Sequence, residues 1–328
     1  QSFGWLITRS GSPGYHSWVF QSATAMHTSI NRGIVALLLA ASIVINNPAL
    51  AQDYQIDTVA SGLDHPWSIA WLPDGRALVT ERPGRLRVIA NGELLEPPVD
   101  GVPEVFASSQ GGLFEALLDP NFADNHFIYL SFAHGTSEAN STRVIRARLE
   151  GMRLVDPKVL FTASPSKDTP VHYGGRMTFL PDGTLLIGLG DGFDFREQAQ
   201  SLDNHFGKIV RINADGSVPE DNPFVDTDGA LPEIYSYGHR NTQGLLHDPE
   251  TGLIWQHEHG PRGGDEVNLI RPGENYGWPV ATHGIDYSGA LVSPFKSQPA
   301  MIDPQHVWTP SIAPSGMMQY DGELFSDW

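Results

Sequence analysis

The 328-residue sequence contains no cysteine, which excludes a disulfide framework, thiolate metal ligands and a cysteine nucleophile. Basic residues are scarce as well. Lys and Arg number 20 against 38 Asp and Glu, for a net charge of −18, so the chain lacks the basic footprint that nucleic-acid binding requires. No apolar run is long enough to span a bilayer as a stable helix; residues 33–45 form a short one. Stretches with helical period over any length are few. What remains, at 40% hydrophobic residues, is ample for a large core.

Residues 1–51 have no Asp, Glu or Lys, and only Arg9 and Arg32 carry charge. From Met26 the sequence reads as a secretory signal, with Arg32 as the positive region, the apolar run 33–45, and Ala49-Leu50-Ala51 as a small-x-small cleavage site. The expectation is therefore an upstream segment at 1–25, a signal peptide at 26–51 and a folded domain at 52–328. The mature protein would be exported to a periplasm or secreted. A buried N-terminal helix is the alternative reading of the same run.

Past Gln52 the text changes to short β-rich runs at 68–72, 76–81, 86–89, 127–132, 143–149, 185–189, 208–212 and 253–257. Turns such as Pro73-Asp74-Gly75, Asn91-Gly92 and Pro181-Asp182-Gly183 separate them, and such dipeptides favour hairpins because they tolerate positive φ. One cassette repeats: Trp67-Ser68-Ile69-Ala70-Trp71-Leu72-Pro73-Asp74-Gly75 resembles Gly175-Arg176-Met177-Thr178-Phe179-Leu180-Pro181-Asp182-Gly183. Looser copies begin near residues 112, 243 and 315. This recurrence suits the blades of an all-β propeller with loop insertions. A β-sandwich would explain the strands but not the repeated strand–turn–strand unit. Five cassettes are visible and the fifth is followed by little sequence, so the ring is expected to lack most of its last blade in this chain.

The first strands begin with polar residues. Gln110 precedes Gly111-Gly112, His172 precedes Tyr173-Gly174-Gly175-Arg176, and Arg240-Asn241 precede Thr242-Gln243-Gly244. The stretch Glu258-His259-Gly260-Pro261-Arg262-Gly263-Gly264-Asp265-Glu266 and the following Asn275-Tyr276-Gly277-Trp278-Pro279 combine free backbone carbonyls with carboxylates, which are calcium ligands. Each has a plain structural reading too: an acidic surface loop, a satisfied core histidine, an arginine paired with a neighbouring carboxylate, a glutamine capping a strand. Their placement at matching points of a repeat favours convergence at one end of the propeller axis.

Together these motifs resemble the soluble quinoprotein sugar dehydrogenases of the glucose/sorbosone dehydrogenase family, over roughly residues 54–328. The resemblance implies a six-bladed β-propeller that binds pyrroloquinoline quinone (PQQ) and calcium and oxidises aldose sugars at the anomeric carbon to lactones, passing electrons to an acceptor that the sequence does not identify. On the matching positions it implies His172 as general base. Gln110, Arg240, Asn241 and Tyr287 would contact the cofactor. The Gly260 and Pro261 carbonyls would hold a catalytic calcium, and Glu266 and Tyr276 a second calcium position. Two departures stand out: Val171 precedes the base where some relatives carry an orienting carboxylate, and the family's last-blade cations have no counterpart here. No stable membrane insertion is expected, and the protein would be a monomer or homodimer. A calcium-dependent propeller lactonase and a non-catalytic glycan- or protein-binding propeller are the alternatives.

Overall fold

A computed structural model describes residues 56–323. The expected upstream segment and signal peptide lie outside the described residues. Ala60–Gln319 forms one compact unit of four antiparallel four-stranded sheets, each a simple meander. The first is β1 (Pro66–Trp71), β2 (Ala77–Glu81), β3 (Arg85–Ala90) and β4 (Glu93–Leu94). The second is β5 (Leu113–Leu118), β6 (Phe127–Gly135), β7 (Asn140–Glu150) and β8 (Arg153–Thr162). The third is β9 (Gly174–Phe179), β10 (Leu185–Leu189), β11 (Lys208–Ile212) and β12 (Ile234–Tyr237). The fourth is β13 (Thr242–His247), β14 (Ile254–Glu258), β15 (Asp265–Ile270) and β16 (His306–Trp308).

The first strands β1, β5, β9 and β13 pack against one another in sequence. This is a β-propeller arrangement, and four blades are present among the described residues. The repeated cassettes are the first two strands of each blade. In blades one and three their turns are closed by Gly75 and Gly183 at φ 86° and 81°, where Asp74 and Asp182 accept the N–H two residues on at 3.1 and 2.9 Å.

Both faces of an inner blade are covered, so its central strands are apolar without alternation. All five residues of β10 are buried. Leu185 and Ile187 pack with Tyr129 and Val144 of blade two, while Leu186 joins Leu245 and Ile254 of blade four. The fifth cassette differs from expectation: residues 309–323 form no strand. A first strand is held by the ladder of the second, and none follows among the described residues. Instead the segment 311–315 is fixed by side chains of blade four. Asp265 Oδ2 accepts from Ser311 Oγ (2.6 Å) and from the N–H groups of Ile312 and Ala313 (both 2.8 Å). His259 Nε2 donates to the Pro314 carbonyl at 2.7 Å and His257 Nε2 to the Ser315 carbonyl at 3.1 Å.

Candidate active site

His172 sits just before β9 with φ 51°. Its backbone is pinned by three contacts. Its N–H donates to Gln110 Oε1 (2.9 Å). Its carbonyl accepts from the Gly192 N–H (3.3 Å) and lies so close to Gly190 that a Cβ there would approach it to 2.2 Å. The side chain is buried, and Nδ1 lies 2.7 Å from Asp191 Oδ1. Asp191 follows β10 in the Gly190-Asp191-Gly192 turn and is itself held by the Phe193 N–H and by Trp278 Nε1–H, both at 2.8 Å.

Burial alone would raise the Asp191 carboxyl. The hydrogen bond from His172, the charges of His172 and Arg240, and the Phe193 N–H outweigh it and hold the carboxyl below the usual range. Burial, aided by Arg240 and Lys167, holds His172 below the usual imidazole value despite the opposing pull of Asp191. The imidazole is thus neutral at pH 7, with the proton on Nδ1, where the anionic Asp191 accepts it. The lone pair is on Nε2, the arrangement of an oriented general base. Val171 offers no orienting carboxylate; one arrives instead from Asp191, nineteen residues after His172.

His172, Asp191, Arg240, Pro261, Trp278 and Tyr287 line one cleft of about 300 Å³, with Phe193, Asp194, Arg196, Glu197, Asp286 and Val292. Phe193 stacks on Tyr287 at 6.3 Å between ring centroids and meets His172 edge-on at 5.2 Å. Arg196 pairs with Asp286 at 3.3 Å on the same rim.

Of the sequence-predicted residues, His172, Arg240, Pro261 and Tyr287 share this cleft. Gln110 and Asn241 stand behind it: Gln110 holds the His172 N–H, and Asn241 Oδ1 accepts from the Gly174 N–H at 3.2 Å. Gly260 is one contact away, its carbonyl accepting from Arg240 Nη1 at 2.7 Å, beside the His259 carbonyl at 2.8 Å. The Arg240-Asn241 backbone is set by Glu258, whose Oε2 accepts both N–H groups. Glu266 and Tyr276 lie apart from the cleft. Glu266 is buried directly across the ladder from Glu258; Tyr276 stacks on His239 at 4.7 Å and donates its hydroxyl to the Leu269 carbonyl at 2.6 Å.

Sequence reasoning missed Asp191, Phe193, Arg196 and Asp286. Only Asp191 carried a local signal, an aspartate flanked by glycines at the end of an apolar strand.

The donor sets decide what the two positions can hold. No three His, Asp or Glu side chains converge in metal-binding geometry among the described residues. At the cleft, neutral carbonyls stand beside the fixed Arg240 cation, 2.7 Å from one of them. A lone divalent ion is poorly suited to that place, whereas an anionic planar cofactor together with a cation is matched by Arg240, the carbonyls and the aromatic walls. At the second position, burial and then Glu258, with Asp265 and Asp303, push the Glu266 carboxyl well up; a cation placed there would relieve that repulsion.

The sequence matches the glucose/sorbosone dehydrogenase family over residues 63–328. It is 41% identical over 279 residues to the aldose sugar dehydrogenase YliI of Escherichia coli K12, covering 83% of this chain and 75% of that one. The crystal structure of the soluble aldose sugar dehydrogenase from E. coli in its apo-form matches with TM-score 0.80 and 41% identity, over 83% of this chain and 80% of that one. The PQQ-bound aldose sugar dehydrogenase from Streptomyces coelicolor matches with TM-score 0.66 and 33% identity, over 80% and 73% of the two chains. The family match over residues 63–328, on a propeller of four-stranded blades, shows that this chain belongs to the glucose/sorbosone dehydrogenase family.

Proposed function

We propose that the protein is a PQQ-dependent aldose dehydrogenase that oxidises the anomeric carbon to a lactone. The observation that carries this reading is the hydrogen-bonded pair of neutral His172 and anionic Asp191 in the same cleft as Arg240 and Pro261. His172 Nε2 accepts the proton of the anomeric hydroxyl. Asp191 stabilises the imidazolium that forms and keeps the ring oriented. Arg240 supplies a fixed positive field where negative charge develops. When bound, PQQ would supply the acceptor for the hydride, and a calcium ion held by the Gly260 and Pro261 carbonyls would balance its charge. Phe193, Tyr287 and Trp278 give the cleft an aromatic wall.

A second calcium at Glu266 and the Tyr276 carbonyl would neutralise the buried acidic pair and stabilise blade four. Residues 26–51 serve as an export signal, so mature material starts at Gln52 and acts in the periplasm; N-terminal sequencing of exported protein should read Gln-Asp-Tyr, and retention of Met26 overturns it.

The test of function is reconstitution with PQQ and calcium. Saturable PQQ binding by fluorescence and dye-coupled oxidation of an aldose, both dependent on calcium, support the reading. Hydrolysis of a lactone without PQQ, or no PQQ binding, sinks it.

A further inference from the structure

Behind the His172–Asp191 pair lies a lysine that the proposed chemistry does not use. Lys167 is buried. Among the described residues no carboxylate forms an ion pair with it. Its ammonium is held by neutral groups: it donates to Asn140 Oδ1 at 3.1 Å and to the Thr169 carbonyl, and sits 3.5 Å from the centroid of the Tyr173 ring. Asn140 Oδ1 also accepts the Tyr173 hydroxyl at 2.6 Å, and the Lys167 and Asn140 backbones exchange two hydrogen bonds of 2.8 Å. The cation is therefore fixed in place.

Its location is specific. The Lys167 stem packs on Gly192, where a Cβ would meet its Cδ at 2.8 Å, next to Asp191. Lys167 and His172 both line one small cavity of about 20 Å³, room for a single water. Thr169 Oγ1 ties the same loop to the Gly192 carbonyl at 2.6 Å.

Resting on the reading of His172 as the base, we propose that Lys167 is a positioning residue that sets the charge state of the His172–Asp191 pair: its buried ammonium favours the Asp191 anion and disfavours the protonated imidazole, so His172 remains proton-accepting to lower pH. The titratable and charged groups around His172 are Asp191, Arg240, Lys167 and His259, with Asp194, Arg196, Glu197 and Asp286 on the same cleft. Those facing Lys167 are Asp191 and Asp168, with His172. Arg240 acts in the same direction but is committed to the His259 and Gly260 carbonyls, whereas Lys167 is held by Asn140, Thr169 and Tyr173 beside the loop that carries Asp191. Burial brings Lys167 itself down to about 7, so it is mainly cationic on the acid side, where His172 takes up its proton.

The test compares Lys167→Met, Lys167→Gln and Lys167→Arg. The first readout is the nitrogen chemical shift of the His172 ring against pH in cofactor-free protein; the second is the acid limb of kcat/KM in the reconstituted enzyme. The neutral variants should raise the pH of half-protonation of His172 by about half to one unit, and arginine should leave it near wild type. The acid limb should move with the ring. If methionine prevents folding, the Gln and Arg pair makes the same comparison. His172 titrating at the wild-type pH in a neutral variant, or arginine shifting it as far as glutamine does, overturns the proposal. A ring that shifts while the acid limb stays put upholds the role of Lys167 and removes His172 from the base position.

Discussion

At the residue scale, the site rests on one proton's location. Asp191 accepts from Nδ1 of His172 and carries no proton of its own, so Nε2 has the lone pair. His172→Gln should lower turnover by about 10²–10⁴-fold, the usual worth of a positioned base, while PQQ binding, assigned in our proposal to Arg240 and the carbonyls, should change little. Asp191→Asn should act through the histidine. An amide is neutral and can offer an N–H to Nδ1, favouring the wrong tautomer, so turnover should fall comparably while melting temperature moves less. Steady-state kinetics and PQQ titration of both variants check this, and near-normal turnover in His172→Gln would make the residue structural. His172 was legible in the sequence because it sits at the start of a repeated cassette. Asp191 was not, because its role exists only once the turn after β10 folds back over position 172.

At the element scale, the cassettes were legible where turn chemistry and apolar runs agree, as at β1–β2 and β9–β10. Strand β8 was hidden. It contains Asp156-Pro157-Lys158, four successive exposed residues and a residue at φ 52°, and its ladder with β7 shifts register between Arg146 and Arg148. Glycines separate the two kinds of local constraint. Gly75 has positive φ and open space around its Cβ position, so Gly75→Ala should cost about 1–2 kcal/mol in backbone strain and leave activity intact. Gly190 has no such strain, but a Cβ would lie 2.2 Å from the His172 carbonyl and 2.9 Å from Asn241 Oδ1. Gly190→Ala should cost about 1–3 kcal/mol by overpacking and should also displace His172, reducing turnover well beyond the Gly75 variant. Denaturant melts with parallel kinetics distinguish them; equal activity in the two variants would show that the turn does not position the base. The β14–β15 ladder offers a second check. Glu258 and Glu266 face each other in a buried setting, so calcium should raise the melting temperature by mass action, and Glu266→Gln should remove most of that rise while keeping most of the turnover.

At the scale of the whole molecule, blade four is joined to the segment 311–315 through side chains whose protonation matters. His257 is buried, donates through Nε2 to the Ser315 carbonyl, and leaves Nδ1 without a partner. Burial, with the nearby charges of Arg176 and His259, brings it down to about 3, against an ordinary value of 6.5. The unfolded chain therefore binds a proton at His257 below pH ~6.5 that the folded chain refuses until pH ~3. The stability associated with the neutral ring is fully present above pH ~6.5 and is lost progressively as pH falls toward 3. His172, lowered for the same first reason, adds to the slope in the same direction. Wild-type protein should lose stability steadily between pH 6.5 and 4. His257→Asn should be less stable at pH 7, because the contact with Ser315 and the ring's packing on Gly244 are altered, yet should show a shallower decline on acidification. Urea unfolding at pH 7, 6, 5 and 4 measures both intercept and slope, and an unchanged slope in the variant would mean that the acid sensitivity resides elsewhere in the fold.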